Sequence, residues 1–199
     1  MIYIVEVIIL AFVSLQTDRL IIRDHVHEDL YTHHCLISNP IVMYYLQDIQ
    51  THSFEESEEN LLQAIKEIEK ENRTKFFFRI EEKYSLAHIG EIGYTVNQET
   101  PFGKIVGLGY FINKEYWSKG YVTEAVKEVL RYAFEENNVI RVSTGCIKEN
   151  QGSEKVMQKC NMVKEADFRM HSWHNGMLKD RVEYRMLKDE WYSNIAKRT

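Results

Sequence analysis

Proline is nearly absent and glycine is scarce: the 199 residues hold two prolines and nine glycines. No Pro-rich or Gly/Ser-rich stretch separates one part of the chain from another, so a flexible linker is excluded and one folded domain is the reading. Cysteine is equally sparse. Cys35, Cys146 and Cys160 are the three present, an odd number without the paired spacing of a zinc site. Neither a disulfide framework nor a metal is expected, and reduced thiols fit a cytoplasmic protein. A basic excess is missing too, since 25 Lys and Arg stand against 30 Asp and Glu for a formal charge of -5. That balance argues against nucleic acid as an obligatory partner and accommodates a cationic one.

No apolar run reaches the roughly 20 residues that span a bilayer. The opening stretch, Met1 to Val13, is interrupted by Glu6 and shows neither the basic start nor the small-residue cleavage site of a signal peptide. Residues 1–16 are therefore expected to form an apolar, β-rich N-terminal extension that packs on the domain or pairs with another subunit. No membrane partner is expected, and the assembly is a monomer or homodimer.

What is present is a core: 44% of residues are hydrophobic and 12% aromatic, enough for one substantial domain. A strand over 19–23 leads into helical segments at 27–37 and 41–47. An acidic helix follows over 57–71, with Leu61, Leu62, Ile65 and Ile68 as its apolar stripe. Strands at 75–81, 86–96 and 104–112 then form a meander. The second half runs helix 121–136, strand 139–147, helix 151–160 and strands 162–172 and 178–187. Strand 104–112, helix 121–136 and strand 139–147 make a βαβ unit, whose strands should be parallel.

Within that unit, Trp117-Ser118-Lys119-Gly120-Tyr121-Val122-Thr123 places a glycine loop where the strand ends and the helix begins. Val122, Ala125, Val126, Val129, Leu130, Ala133 and Phe134 keep helical spacing behind it. The backbone N–H groups of Gly120 to Thr123 would be unpaired and backed by the positive end of the helix dipole, which suits a phosphate or pyrophosphate. A plain turn is the competing reading.

The order of four pieces is recognisable: Thr17-Asp18-Arg19-Leu20-Ile21-Ile22-Arg23, then Gly109-Tyr110-Phe111-Ile112 with the loop Tyr116 to Ala125, then Asn150-Gln151-Gly152-Ser153, then Asp180-Arg181-Val182-Glu183-Tyr184. It resembles the GNAT superfamily of N-acetyltransferases, in its RimJ/RimL-like branch. The resemblance implies an α+β fold, mixed α/β, as a single domain over 17–199. Its central sheet is mixed and mostly antiparallel, of about seven strands, with helices on both faces and the parallel βαβ unit for the cofactor.

The resemblance also implies acetyl-CoA as cosubstrate. Trp117, Ser118, Lys119, Gly120, Tyr121 and Val122 would hold its pyrophosphate, and Thr123 at the helix start would add a donor. Phe111 and Ile112 would pair with the pantetheine arm, Asn150 would contact that arm, and the Ser153 hydroxyl would reach the thioester sulfur. The competing reading of Asn150 is an ordinary helix N-cap.

Acetyl transfer to an amine needs a group to take the ammonium proton and another to protonate the departing thiolate. Many relatives carry a glutamate where Gly107 stands, and a tyrosine where Met157 stands. Glu91 is therefore the candidate base, with His171 and His174 as alternatives, and Ser153 is the candidate proton donor. Tyr44, Tyr45, Phe77, Tyr94 and Trp173 could shape an acceptor pocket or simply belong to the core.

The resulting expectation is an N-acetyltransferase that moves an acetyl group to a primary amine by direct attack in a ternary complex. A protein N-terminus of ribosomal type and a small cationic amine are the acceptors considered. The alternative is a catalytically silent acyl-CoA-binding or sensing module.

Overall fold

The structure is a computed structural model that describes residues 12–196, so most of the expected N-terminal extension lies outside the described residues. Eight strands form one sheet in the order β1-β2-β3-β4-β5-β6-β8-β7. They are β1 (Ser14–Gln16), β2 (Leu20–Asp24), β3 (Lys75–Glu82), β4 (His88–Thr100), β5 (Gly103–Ile112), β6 (Val139–Ile147), β7 (Val163–His174) and β8 (Met177–Leu187). About seven strands were expected. The additional one is β1, a three-residue strand paired antiparallel with β2, too short to carry an alternation signal of its own.

Five helices accompany the sheet: α1 (Leu30–Ile37), α2 (Phe54–Ile68), α3 (Tyr121–Glu135), α4 (Gln151–Lys159) and α5 (Lys188–Ala196). They cover both faces. Arg79 of β3 reaches Thr32 of α1 at 2.6 Å, whereas its neighbour Phe78 packs against Tyr132 of α3. Successive strand residues point to opposite faces, so α1 and α3 lie on opposite sides of the sheet. The α4 and α5 helices share the α3 side, through Gln158 to Tyr184 at 3.3 Å and Trp191 against Phe134. Covered twice, β4 is buried continuously from Ile89 to Tyr94, the pattern of a central strand.

Two local expectations are corrected. Residues 41–47 are not a helix but a run of turns, with Ile41 N donating to the Asn39 side chain at 2.9 Å, Met43 N to Asn39 O at 2.9 Å and Leu46 N to Met43 O at 2.8 Å. The Asn-Pro pair competes locally with helix formation, as short polar side chains and proline do. The acidic helix begins earlier than expected, at Phe54, because Ser53 caps it by accepting from Glu56 N at 3.1 Å. The α5 helix was not anticipated; it follows β8 directly, with no glycine or proline to mark the junction.

One pairing decides where a ligand can enter. β5 and β6 are parallel neighbours over Lys104 to Gly107 and Val139 to Ser143. Beyond that, β5 continues with β4 as far as Ile112, and β6 continues with β8 as far as Ile147. The two strands therefore splay apart, and their facing backbone groups lose their ladder partners.

Candidate active site

The mouth of the splay opens toward the glycine loop. Ser118 and Gly120 hold left-handed backbone angles, φ 60° and 83°, which glycine adopts freely and serine at a cost of about 1 kcal/mol. Alternating handedness of this kind turns successive N–H groups to one side, forming an anion nest. Glu124 N is the amide that bonds back to the cap, to Gly120 O at 3.1 Å. The amides of Tyr121, Val122 and Thr123 before it are the helix's orphan donors.

The loop is held from behind. Glu124 accepts from Thr17 Oγ1 at 2.5 Å, from Arg19 N at 3.0 Å and from Arg19 Nε at 2.7 Å. Arg19 Nη1 also donates to Lys119 O at 3.1 Å, and its guanidinium lies 4.4 Å from the centre of the Tyr121 ring. Burial would raise the Glu124 pKa, but these donors prevail and lower it, so the carboxylate stays charged. Trp117 closes the other side by donating its indole N–H to Ile112 O at 2.9 Å. Arg19 and Glu124 were missed as site residues. The signal was available, since an Arg-Leu strand and a Glu one turn into the helix both belong to the recognised motifs.

Just past the end of β6, Asn150 caps α4 by accepting from Ser153 N at 3.2 Å. Ser153 Oγ lies 2.9 Å from the Tyr110 hydroxyl, which also donates to Ser153 O at 3.1 Å. Burial raises the Tyr110 pKa, more than the hydrogen bond with Ser153 lowers it. Both hydroxyls therefore keep their protons near neutral pH. Met157 is fully buried in the core, so it lends no proton donor where this hydroxyl pair stands. Burial also pushes the Cys146 thiol up to about 11, which leaves it uncharged and a poor nucleophile.

The splay continues into a cleft of about 1280 Å³ whose lining includes Tyr44, Tyr45, Gly107, Gly145, Trp173 and His174. His174, at the tip of the β7–β8 hairpin, stacks on Tyr45 at 5.4 Å and meets Tyr44 edge-on at 4.9 Å. Gln47 donates to Asn175 at 2.8 Å, so the hairpin is docked on the turns after α1. Tyr94 instead stacks on Phe76 in the core, and Phe77 is not among the residues lining the cleft. His171 is exposed.

Glu91 is not among the cleft's lining residues either. Its Oε1 lies 2.6 Å from His33 Nδ1 and 3.5 Å from His88 Nε2, and its Oε2 lies 3.8 Å from His25 Nε2. Burial pushes its pKa upward, yet the charges of His33 and His25 and the hydrogen bond from His33 outweigh this and lower it to about 2. A carboxylate held so firmly in its charged form is a weak proton acceptor. His25, His33 and Glu91 are also a group among the described residues whose ligand atoms lie within 4.8 Å of one another. Within this group His33 Nδ1 and Glu91 Oε1 are hydrogen-bonded to each other.

Comparison with known proteins agrees with this geometry. The acetyltransferase (GNAT) domain family matches residues 19–163. The putative ribosomal N-acetyltransferase YdaF of Bacillus subtilis (strain 168) is 37% identical over 84 residues, 42% of this chain and 46% of that protein. The chain thus spans about half the length of that relative. Among solved structures, the ribosomal-protein-S5-alanine acetyltransferase from Vibrio fischeri superposes with TM-score 0.79 at 24% identity, covering 90% of this chain and 98% of that one. Spermidine N-acetyltransferase from Vibrio cholerae, in complex with CoA and spermine, gives TM-score 0.76 at 20% identity over 88% and 99% of the two chains. Those superpositions show the shared fold, and the domain match over most of the chain shows that it belongs to the GNAT family of acetyltransferases.

Proposed function

We propose that this enzyme transfers an acetyl group from acetyl-CoA to a primary amine by direct attack, without an acyl-enzyme. The observation that carries the reading is that one splay is flanked by an anion nest after β5 and by the neutral hydroxyl pair of Tyr110 and Ser153. The amides of Gly120 to Thr123 would hold the pyrophosphate, and the side of β5 that faces away from β4 at Phe111 and Ile112 would pair with the pantetheine amides as a strand does, with Ile112 O shared with the Trp117 indole. Ser153 Oγ–H, supported by the Tyr110 hydroxyl, would protonate the departing thiolate. The high pKa of Cys146 removes the obvious alternative nucleophile.

The acceptor reading rests on the negative charge of the chain and the aromatic cleft, which suit a cationic amine. The fold neighbours named for the alanine of ribosomal protein S5 and for spermidine supply the two acceptors to try, an alanyl-terminated peptide and spermidine. Acetyl-CoA turnover is followed as free thiol release with spermidine and with an alanyl-terminated peptide. Amine-dependent release is expected with one of them, and acetyl-CoA binding without release for any primary amine would overturn the reading.

A further inference from the structure

We propose that Glu183 of β8 is the group that receives the acceptor's ammonium and takes its first proton, an inference that rests on the acetyl-transfer reading above. Glu183 pairs with Gly145 across the β6–β8 ladder, and both residues line the cleft. Its carboxylate folds back over that glycine. A Cβ placed on Gly145 would lie 2.4 Å from Glu183 Oε2 and 2.5 Å from Oε1, so only glycine lets the carboxylate rest there. Gly145 is the second residue past Ser143, the last β6 residue paired with β5. The carboxylate thus hangs over the first unpaired stretch of the splay.

Gly107, paired with Ser143, offers no side chain, and the nearest group to it is the Asn97 amide, whose nitrogen is 3.1 Å from where its Cβ would be. Glu91 is locked among histidines. Arg181 Nε holds Glu183 Oε1, and Oε2 has no hydrogen-bond partner among the described residues. The Glu183 side chain is 28% exposed, open enough to receive a ligand. A charged oxygen with a free lone pair, in the cleft that Tyr44, Tyr45 and Trp173 also line, fits a primary ammonium on an aliphatic stem.

The proton balance closes. R–NH3+ gives one proton to Glu183 Oε2 and becomes R–NH2, whose lone pair forms the C–N bond at the thioester carbon. The C–S bond then breaks, and the sulfur is protonated by Ser153 Oγ–H, which is restored by the second proton leaving nitrogen. Glu183 releases its proton to solvent, leaving the amide and free thiol.

The test uses Glu183→Gln and Gly145→Ala in the full chain, with spermidine and the alanyl peptide. Glu183→Gln should lower kcat/KM for the amine by at least about 100-fold, with acetyl-CoA affinity by calorimetry unchanged. Its kcat/KM should also climb tenfold per pH unit toward the pKa of the free amine, about 10 for spermidine and about 8 for the alanyl N-terminus, as only unprotonated acceptor then reacts. Gly145→Ala keeps the charge but displaces it, and should cost at least about tenfold; it carries the test should Glu183→Gln misfold. Parent turnover with Glu183→Gln within about threefold of it would overturn this assignment alone. Acetyl-CoA binding with no turnover in the parent would overturn the transfer reading and this one together.

Discussion

Replacing Glu91 with glutamine separates a buried structural carboxylate from a catalytic one. In the folded protein Glu91 is charged against His33 at 2.6 Å, with His88 and His25 at 3.5 and 3.8 Å. Its pKa falls from an ordinary 4.5 to about 2, and at about 1.4 kcal/mol per unit this corresponds to about 3 kcal/mol of stability. Removing one member of a buried pair costs about 3–5 kcal/mol in general. The two figures agree.

The pH dependence follows from the two partners. A lowered carboxylate pKa contributes stability that is present above 4.5 and lost as pH falls toward about 2. Burial, the largest single effect, pushes the His33 pKa down, but the charge and hydrogen bond of Glu91, with Asn60 and Asp29, together raise it above 6.5. Its contribution is full below 6.5 and lost as pH rises through the raised value. Parent and Glu91→Gln should therefore differ most between pH 4.5 and 6.5. Urea unfolding in that window should show a loss of about 3 kcal/mol, and the melting temperature should drop by about 6–12 °C for a domain of this size. Once folded, the variant should keep turnover within a few-fold of the parent. A variant as stable as the parent to within about 0.5 kcal/mol, yet hundreds of times slower, would make Glu91 the base and refute the reasoning.

Gly120→Val forces a β-branched residue to φ 83°, and calorimetry should show acetyl-CoA affinity reduced by more than tenfold; unchanged affinity would remove the loop from the site. Ser153→Ala should lower kcat by about 10–100-fold while leaving the acetyl-CoA KM nearly constant, as expected for loss of a proton donor. Tyr110→Phe should lower kcat less, because Ser153 retains its own hydroxyl proton.

The parts of this protein legible in sequence were those set by long periodic segments and short motifs acting through the backbone. The α3 stripe from Val122 to Phe134 gave its helix and core face, and Gly120 gave the loop, because both rest on local geometry. The turns at 41–47 were not legible, since tertiary contacts rather than period fix them, and β1 was foreseen only as part of a β-rich extension over 1–16, not as a separate strand. Glu91 was offered as a base because alternation cannot tell a cleft-facing carboxylate from one enclosed by His25, His33 and His88, which come from distant parts of the chain. Glu183 was missed for the converse reason. Its importance depends on the absence of a side chain on Gly145, visible only once β6 and β8 are paired.

The Arg19–Glu124 anchor carries a kinetic consequence. Arg19 pins Lys119 O and Glu124 ties the helix start to Thr17, so the nest's shape is fixed by residues about a hundred positions earlier in the chain. A loop fixed in advance loses little conformational entropy on binding. Cutting the anchor, as in Arg19→Ala, should then remove none of the loop's amide donors and still weaken acetyl-CoA binding, because the donors would have to be ordered at each encounter.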